Sequence, residues 1–229
     1  MIYRIVFIVL TASLGGCSTP KSQGEVVVEE SILAHGGLNN YANLQDFRYE
    51  KTSYTRDAQE VINDTLIQQF EIPRLGTTIL ITEDSLRITL QNENIQTSKE
   101  LNSDQQNYKS IVEGANFVFF QPFKLKDKGA QIEYLGLKSP GFSEEPLEQI
   151  RVTYPNSSDI WYFFFDYETK HVVANAVDHD GKVSLILNDS LQWHKNLFVH
   201  SRRRSFLSNS NFELIRLQAS YKYKMLSLE

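Results

Sequence analysis

The sequence predicts a mainly β, α+β fold: a single strongly curved antiparallel sheet, an unclosed β-barrel of about ten or eleven strands, with a helical lid. Three observations predict it. From Phe47 onward most of the chain divides into strand-length segments separated by turn residues, while helical spacing is confined to the start and the middle. Near the end, Ile215, Leu217, Ala219, Tyr221, Tyr223 and Met225 alternate with Arg216, Gln218, Ser220, Lys222 and Lys224, which is the period of a strand with one dry and one wet face. Finally, Ile160-Trp161-Tyr162-Phe163-Phe164-Phe165 is apolar at every position, so this strand must be covered on both sides.

Taken in order, the chain opens on a short segment with one cation, Arg4, followed by an apolar run from Ile5 to Leu14 that is too short to span a bilayer. It ends in Leu14-Gly15-Gly16-Cys17, small residues placed for cleavage. This resembles the lipobox of bacterial lipoproteins, in which the cysteine thiol is acylated and the preceding segment removed. Residues 1–16 are therefore expected to be a signal peptide and Cys17 the lipidated residue. Cys17 is the only cysteine, so no intramolecular disulfide competes for it. Removing residues 1–16, which hold one Arg and no acid, takes the formal net charge from −5 to −6. A mildly acidic body repels phosphate backbones, so nucleic acid is not an expected partner.

Residues 17–24 are expected to be the lipidated cysteine and a flexible tether, since Ser18 to Gly24 has no apolar residue and carries Pro and Gly. Its seven residues would reach about 23 Å at about 3.3 Å each. Residues 25–229 form one domain. Glu25 to His35 reads as a helix with Val28, Ile32 and His35 on one stripe and Gly36-Gly37 as its stop. A short second helix follows over Leu38 to Leu44. Strands are expected at Phe47 to Tyr54, Thr65 to Ile72, Thr77 to Thr82 and Leu86 to Leu90, with hairpin turns at Glu83-Asp84 and Asn92 to Asn94. Leu101 to Phe119 has helical spacing. Seven further strands are expected at Gln131 to Leu137, Leu147 to Tyr154, Asp159 to Tyr167, His171 to Val177, Val183 to Leu191, Asn196 to Phe206 and Phe212 to Met225.

Several of these stretches together resemble an uncharacterised family of Bacteroidota lipoproteins: His35-Gly36-Gly37, Phe120-Gln121-Pro122-Phe123-Lys124-Leu125, Trp161 to Asp166, Ala174 to His179 and His200 to Phe206. The inferred shape is similar to that of the LolA and LolB group, the periplasmic lipoprotein carrier and receptor. That resemblance implies an open barrel with a helical lid over an acyl-binding cavity. It assigns no receptor residue to a numbered position here.

Candidate sites follow from the same pattern. Phe117, Phe119, Phe120, Phe123, Trp161, Phe163 and Phe165 either line a cavity for an apolar ligand or form core, and composition alone weighs the two about equally. In Arg202-Arg203-Arg204 strand alternation sets Arg203 opposite its neighbours, so it is the one of interest if it points inward. Five histidines, His35, His171, His179, His194 and His200, raise the question of metal, but none forms a close pair at helical or strand spacing. Asp178-His179-Asp180-Gly181 reads as a hairpin tip rather than a ligand set. His35 reads as a helix cap beside the C-terminal dipole. Glu29-Glu30 and Glu144-Glu145 read as solvated surface. No nucleophile elbow, zinc-protease pair or phosphate loop occurs.

The sequence thus favours a non-catalytic, membrane-anchored lipoprotein, with no cofactor and no metal, that binds an acyl chain, lipid or other apolar ligand. The alternative is a structural or assembly subunit docking onto other envelope proteins; a hydrolase or metal-dependent enzyme ranks third. Ser18 is not the aspartate that retains enterobacterial lipoproteins at the inner membrane, so the expected address is the outer membrane, on either face.

Overall fold

The computed structural model describes residues 20–44, 47–72, 77–81, 86–90, 114–155 and 157–226. Cys17, the signal segment, residues 101–113 of the expected central helix and the turns expected at 83–84 and 92–94 lie outside them.

The first helix, α1 (Gln23–Ala34), begins two residues earlier than its apolar stripe suggested. Ser22 caps it: the Glu25 backbone N–H donates to the Ser22 hydroxyl at 3.3 Å, and the Ser22 N–H donates to the Glu25 carboxylate at 2.7 Å. This reciprocal pair is a capping box, written in the sequence as Ser-x-x-Glu. Gln23 and Gly24, expected in a tether, are therefore the first residues of α1. At the other end, the Gly36 N–H donates to Leu33 O (3.1 Å) and the Gly37 N–H to Ile32 O (2.8 Å), the paired bonds of a Schellman stop. A short α2 (Leu38–Ala42) follows.

Eleven strands then form one antiparallel sheet: β1 (Phe47–Arg56), β2 (Ile62–Ile72), β3 (Thr77–Ile81), β4 (Leu86–Leu90), β5 (Gln131–Lys138), β6 (Leu147–Thr153), β7 (Ile160–Asp166), β8 (Val172–His179), β9 (Lys182–His194), β10 (Leu197–Ser208) and β11 (Leu214–Leu226). Their spatial order is β4-β3-β2-β1-β11-β10-β9-β8-β7-β6-β5. Two runs of neighbouring hairpins are joined through β1 and β11, and among the described residues β4 and β5 are the edge strands, so the barrel is not closed. The stretch at 178–181 is the hairpin tip expected of it: Asp180 and Gly181 both have positive φ, and the Gly181 N–H donates to the Asp178 carboxylate at 2.8 Å. Asn196, expected in β10, instead forms with Lys195 a second two-residue turn of positive φ.

Strand alternation sends side chains to two cores. On the inner face, Phe47, Tyr49, Phe70, Ile150, Val152, Phe163, Phe165 and Tyr223 meet Val27, Val28 and Ile32 of α1 together with Phe119, Phe120, Phe123 and Leu125. Those last four come from the helical residues 114–119 and the 3-10 turn Phe123–Lys126 that follows. On the outer face, Leu147, Phe164, Ala174, Ala176, Val183 and Leu185 form a smaller cluster under Phe142 and Phe212. Those two come from the β5–β6 and β10–β11 loops, which meet where the Gly141 N–H donates to Asn211 O at 2.9 Å. Strand β7 is thus covered on both sides, as its apolar run requires. The buried face of β11 begins at Ala219: a register shift between Ser205 and Phe206 sets Leu217 opposite Phe206, and Ile215, expected on the dry face, is 59% exposed.

The C-terminal end of α1 is fastened to the sheet at Gly36. Gly36 adopts φ +111°, and a Cβ there would fall on the carbonyl oxygen of Asn196, while the Phe198 N–H donates to His35 O at 3.0 Å. The end of α1 therefore rests directly on the β9–β10 hairpin. Gly36→Ala is expected to destabilise the protein by about 2–4 kcal/mol, combining backbone strain with a backbone clash. Equilibrium urea unfolding measures this, and an unshifted midpoint would show that the contact is not made.

Candidate functional site

Of the seven aromatic residues singled out in the sequence, Phe119, Phe120, Phe123, Phe163 and Phe165 are fully buried, and Phe117 and Trp161 are partly buried at the margin of the same cluster. Phe119 stacks on Tyr49 with ring centroids 4.1 Å apart, Tyr41 stacks on Phe123 at 4.6 Å, and Phe117 lies 5.0 Å from Trp161. The buried five fasten lid to sheet. Phe117, Trp161 and Tyr154 extend the apolar surface beyond that seam.

Arg203 does point inward and is 1% exposed, whereas Arg202 and Arg204 are exposed. Arg204 forms a bidentate pair with Asp189 on the outside. The buried guanidinium of Arg203 donates to Asn188 Oδ1 (2.6 Å) on β9, to Asn175 Oδ1 (3.3 Å) on β8, to Val118 O (2.7 Å) in the helical stretch 114–119 and to Gln121 Oε1 (3.0 Å) just after it. The Tyr223 hydroxyl of β11 accepts from it as well. Every one of these partners is neutral. Because the amide oxygens of Asn175 and Gln121 face Arg203, their nitrogens point away, and neither Nδ2 nor Nε2 has a hydrogen-bond partner.

A second cation shares this interior. Lys51 lies on β1 between Tyr49 and Ser53, and the register sets Gln68 of β2 and Tyr223 of β11 opposite it. Its ammonium lies 5.0 Å from the centroid of the Tyr221 ring. Burial, and secondarily the charge of Arg203, pushes its pKa down to about 8. Lys51 was not singled out in the sequence, although a signal was there: in Phe47-Arg48-Tyr49-Glu50-Lys51 strand parity sets the lysine on the aromatic face.

The histidines separate into two kinds. His179 is exposed, with Nδ1 2.5 Å from Asp159 Oδ1, and serves the hairpin. His35, His171 and His200 gather where α1 meets the sheet, with ring centroids of 5.1 Å for His35 to His171 and 6.0 Å for His35 to His200. His35 Nδ1 donates to Ser31 O at 2.8 Å, so His35 folds back on its own helix as a C-terminal cap. Its Nε2 and both ring nitrogens of His200 are buried without partners. Burial holds His35 down to about 4; burial, then the charge of Arg203, holds His200 well below the ordinary histidine value. Among the described residues no group of three or more His, Cys, Asp or Glu is arranged to hold a metal ion. Glu29 and Glu30 are less idle than expected: Glu29 pairs with Lys126 at 3.0 Å, and Glu30 with Lys170 at 3.3 Å, which also meets buried Glu148 at 2.7 Å. Such partly exposed pairs add about 0–1 kcal/mol each and orient α1 more than they hold it.

Arg203→Met strands buried acceptors from three strands and the lid, so unfolding free energy should fall by about 3–5 kcal/mol; Arg203→Lys should rescue little, because an ammonium cannot reproduce the planar fork. Chemical denaturation reads both, and full rescue by lysine would rule out the fork. For His35 and His200 the folded values lie below the unfolded value of 6.5, so the unfolded state binds more protons between about 4 and 6.5 and stability is lost as pH falls through that window. His200→Leu, which removes two unpartnered polar atoms, should raise stability at pH 7 by about 1 kcal/mol and flatten the acid limb of a stability-versus-pH curve. A steeper acid limb would be the contrary result.

No family model matches the sequence, and no curated protein matches it. Among solved structures, a LolA superfamily protein from Nitrosomonas europaea aligns with a TM-score of 0.55 at 8% identity, covering 91% of this chain and 95% of that one. A DUF1329 family protein from Desulfovibrio piger aligns with a TM-score of 0.46 at 6% identity, covering 89% of this chain and 92% of that one. The first of these establishes that the chain has a LolA-like fold, an open antiparallel half-barrel with a helical lid.

Proposed function

We propose that this protein is a lipid-anchored, non-catalytic binding protein of the cell envelope that shelters an acyl chain or similar apolar ligand between the inner face of the half-barrel and its lid. One observation carries the reading: the apolar inner surface continues past the fully buried core to Phe117, Tyr154, Trp161, Tyr221 and Met225, which are only partly buried. Apolar surface left available inside an unclosed barrel gains about 25 cal/mol per Å² when a ligand covers it. The likeness to a LolA superfamily fold supports the same reading, as does the lipobox-like segment ending in Cys17, which would hold the domain against a bilayer through its acyl chains. On this reading the ligand is held by burial and no bond is made or broken.

A second reading, docking onto another envelope protein, is favoured by the exposed apolar residues Val61, Ile62, Leu214 and Ile215, which are 42–60% exposed at one end of the sheet. There the Glu60 carboxylate accepts from the Leu217 N–H at 3.0 Å and brings the β1–β2 tip beside β11.

Protein purified from its native membranes, delipidated and extracted for mass spectrometry should yield a lipid at about one per chain, and Cys17→Ser should move the protein out of the membrane fraction. Repeatedly empty extracts, with a co-purifying protein that Ile215→Lys dislodges, would transfer the case to the docking reading.

A further inference from the structure

Among the described residues, the charges inside the half-barrel do not balance. The inward positions around Lys51 are Tyr49, Ser53, Gln68 and Tyr223; those around Arg203 are Tyr221, Asn188 and Ser205. All are neutral. No carboxylate among the described residues pairs with either cation: Arg203 bonds only to amide, carbonyl and hydroxyl oxygens, and Lys51 has only the face of Tyr221. Leaving a buried charge without a counter-ion costs several kcal/mol, and a fold meets such a cost where a ligand of opposite sign completes the site. Donors are also in excess, because the Asn175 and Gln121 amide nitrogens, on side chains 1% and 2% exposed, are unpartnered.

The two cations differ in availability. The Arg203 donors are taken up by protein oxygens, so Arg203 contributes potential rather than contacts. The Lys51 ammonium, by contrast, has three donors to offer, and it lies with Tyr221 in the partly buried region of the inner face. Lys51 therefore makes the contact.

We propose that the ligand of the half-barrel is an amphiphile with an anionic end, a carboxylate or a phosphate, whose head binds the Lys51 ammonium in the field of Arg203 while its chain covers the aromatic inner face. This rests on the apolar-ligand reading above and specifies its polar end. Lys51 fixes where the head stops, and Phe117 and Trp161 mark the apolar surface available to the chain. At neutral pH Lys51 retains its charge, because its value of about 8 lies above 7.

Calorimetric titration of purified, lipid-stripped protein with palmitate, methyl palmitate and palmitoyl lysophosphatidic acid at pH 7 tests this. Palmitate or the lysophosphatidic acid should bind at least about tenfold tighter than the ester, which is about 1.4 kcal/mol. Whichever acid binds tighter identifies carboxylate or phosphate as the head. Lys51→Met should reduce that acid to the affinity of the ester, Lys51→Arg should retain most of the preference, and Lys222→Met, on the outward face of β11, should leave it intact. Equal affinity for acid and ester in the unaltered protein, or a preference that survives Lys51→Met, overturns the proposal while leaving apolar binding in place. Absence of binding by all three probes overturns the apolar-ligand reading as well.

Discussion

A buried guanidinium organises this protein. Arg203 reaches from the middle of β10 to its neighbours β9 and β11, past β9 to β8, and to the helical segment that lies across them. An unclosed sheet with an apolar inner face needs a cover, and hydrophobic contact alone is non-directional: it would hold the cover down without fixing where it lies. Five hydrogen bonds to a planar cation fix that position, at the cost of burying a charge among neutral oxygens.

The aromatic layers are arranged around this point. Phe119 and Phe120, immediately beyond the carbonyl of Val118 that Arg203 holds, insert among Tyr49, Phe47 and Tyr223, and Tyr41 closes over Phe123. Rings within 4–7 Å of one another gain about 0.5–1.5 kcal/mol per pair beyond their burial. The outer core needs no cation, because the β5–β6 and β10–β11 loops that cover β7 and β8 are joined by their own backbone bond. The fold thus closes its outer face with loops and its inner face with helices. The inner closure leaves partly covered aromatic surface, with Tyr221 beside Lys51 and opposite Arg203.

The helical side also carries the acid-sensitive part of the molecule. His35 ends α1, His200 follows the hairpin on which α1 rests, and His171 lies 5.1 Å from His35. All three belong to the joint between lid and sheet, so protonation of His35 and His200 acts on that joint.

Much of the architecture was legible in the residues alone. A strand turns successive side chains to opposite faces whatever surrounds it, so the alternation in β11, the doubly apolar β7 and the inward parity of Arg203 each follow from local geometry. The Gly36-Gly37 stop and the Asp180-Gly181 turn are local for the same reason. α1 begins two residues before the start that apolar spacing predicts, because the capping box at Ser22 is polar and carries no apolar stripe. Ile215 was placed on a dry face because periodicity does not say where a covered face ends. What tertiary structure alone decided is which residues meet. Val118 and Gln121 are more than eighty positions from Arg203, and Lys51 comes near it only because β1 pairs with β11 and β11 with β10. Strand pairing and register are choices among distant partners, made by the burial of whole faces at once, and no short stretch of sequence contains that choice.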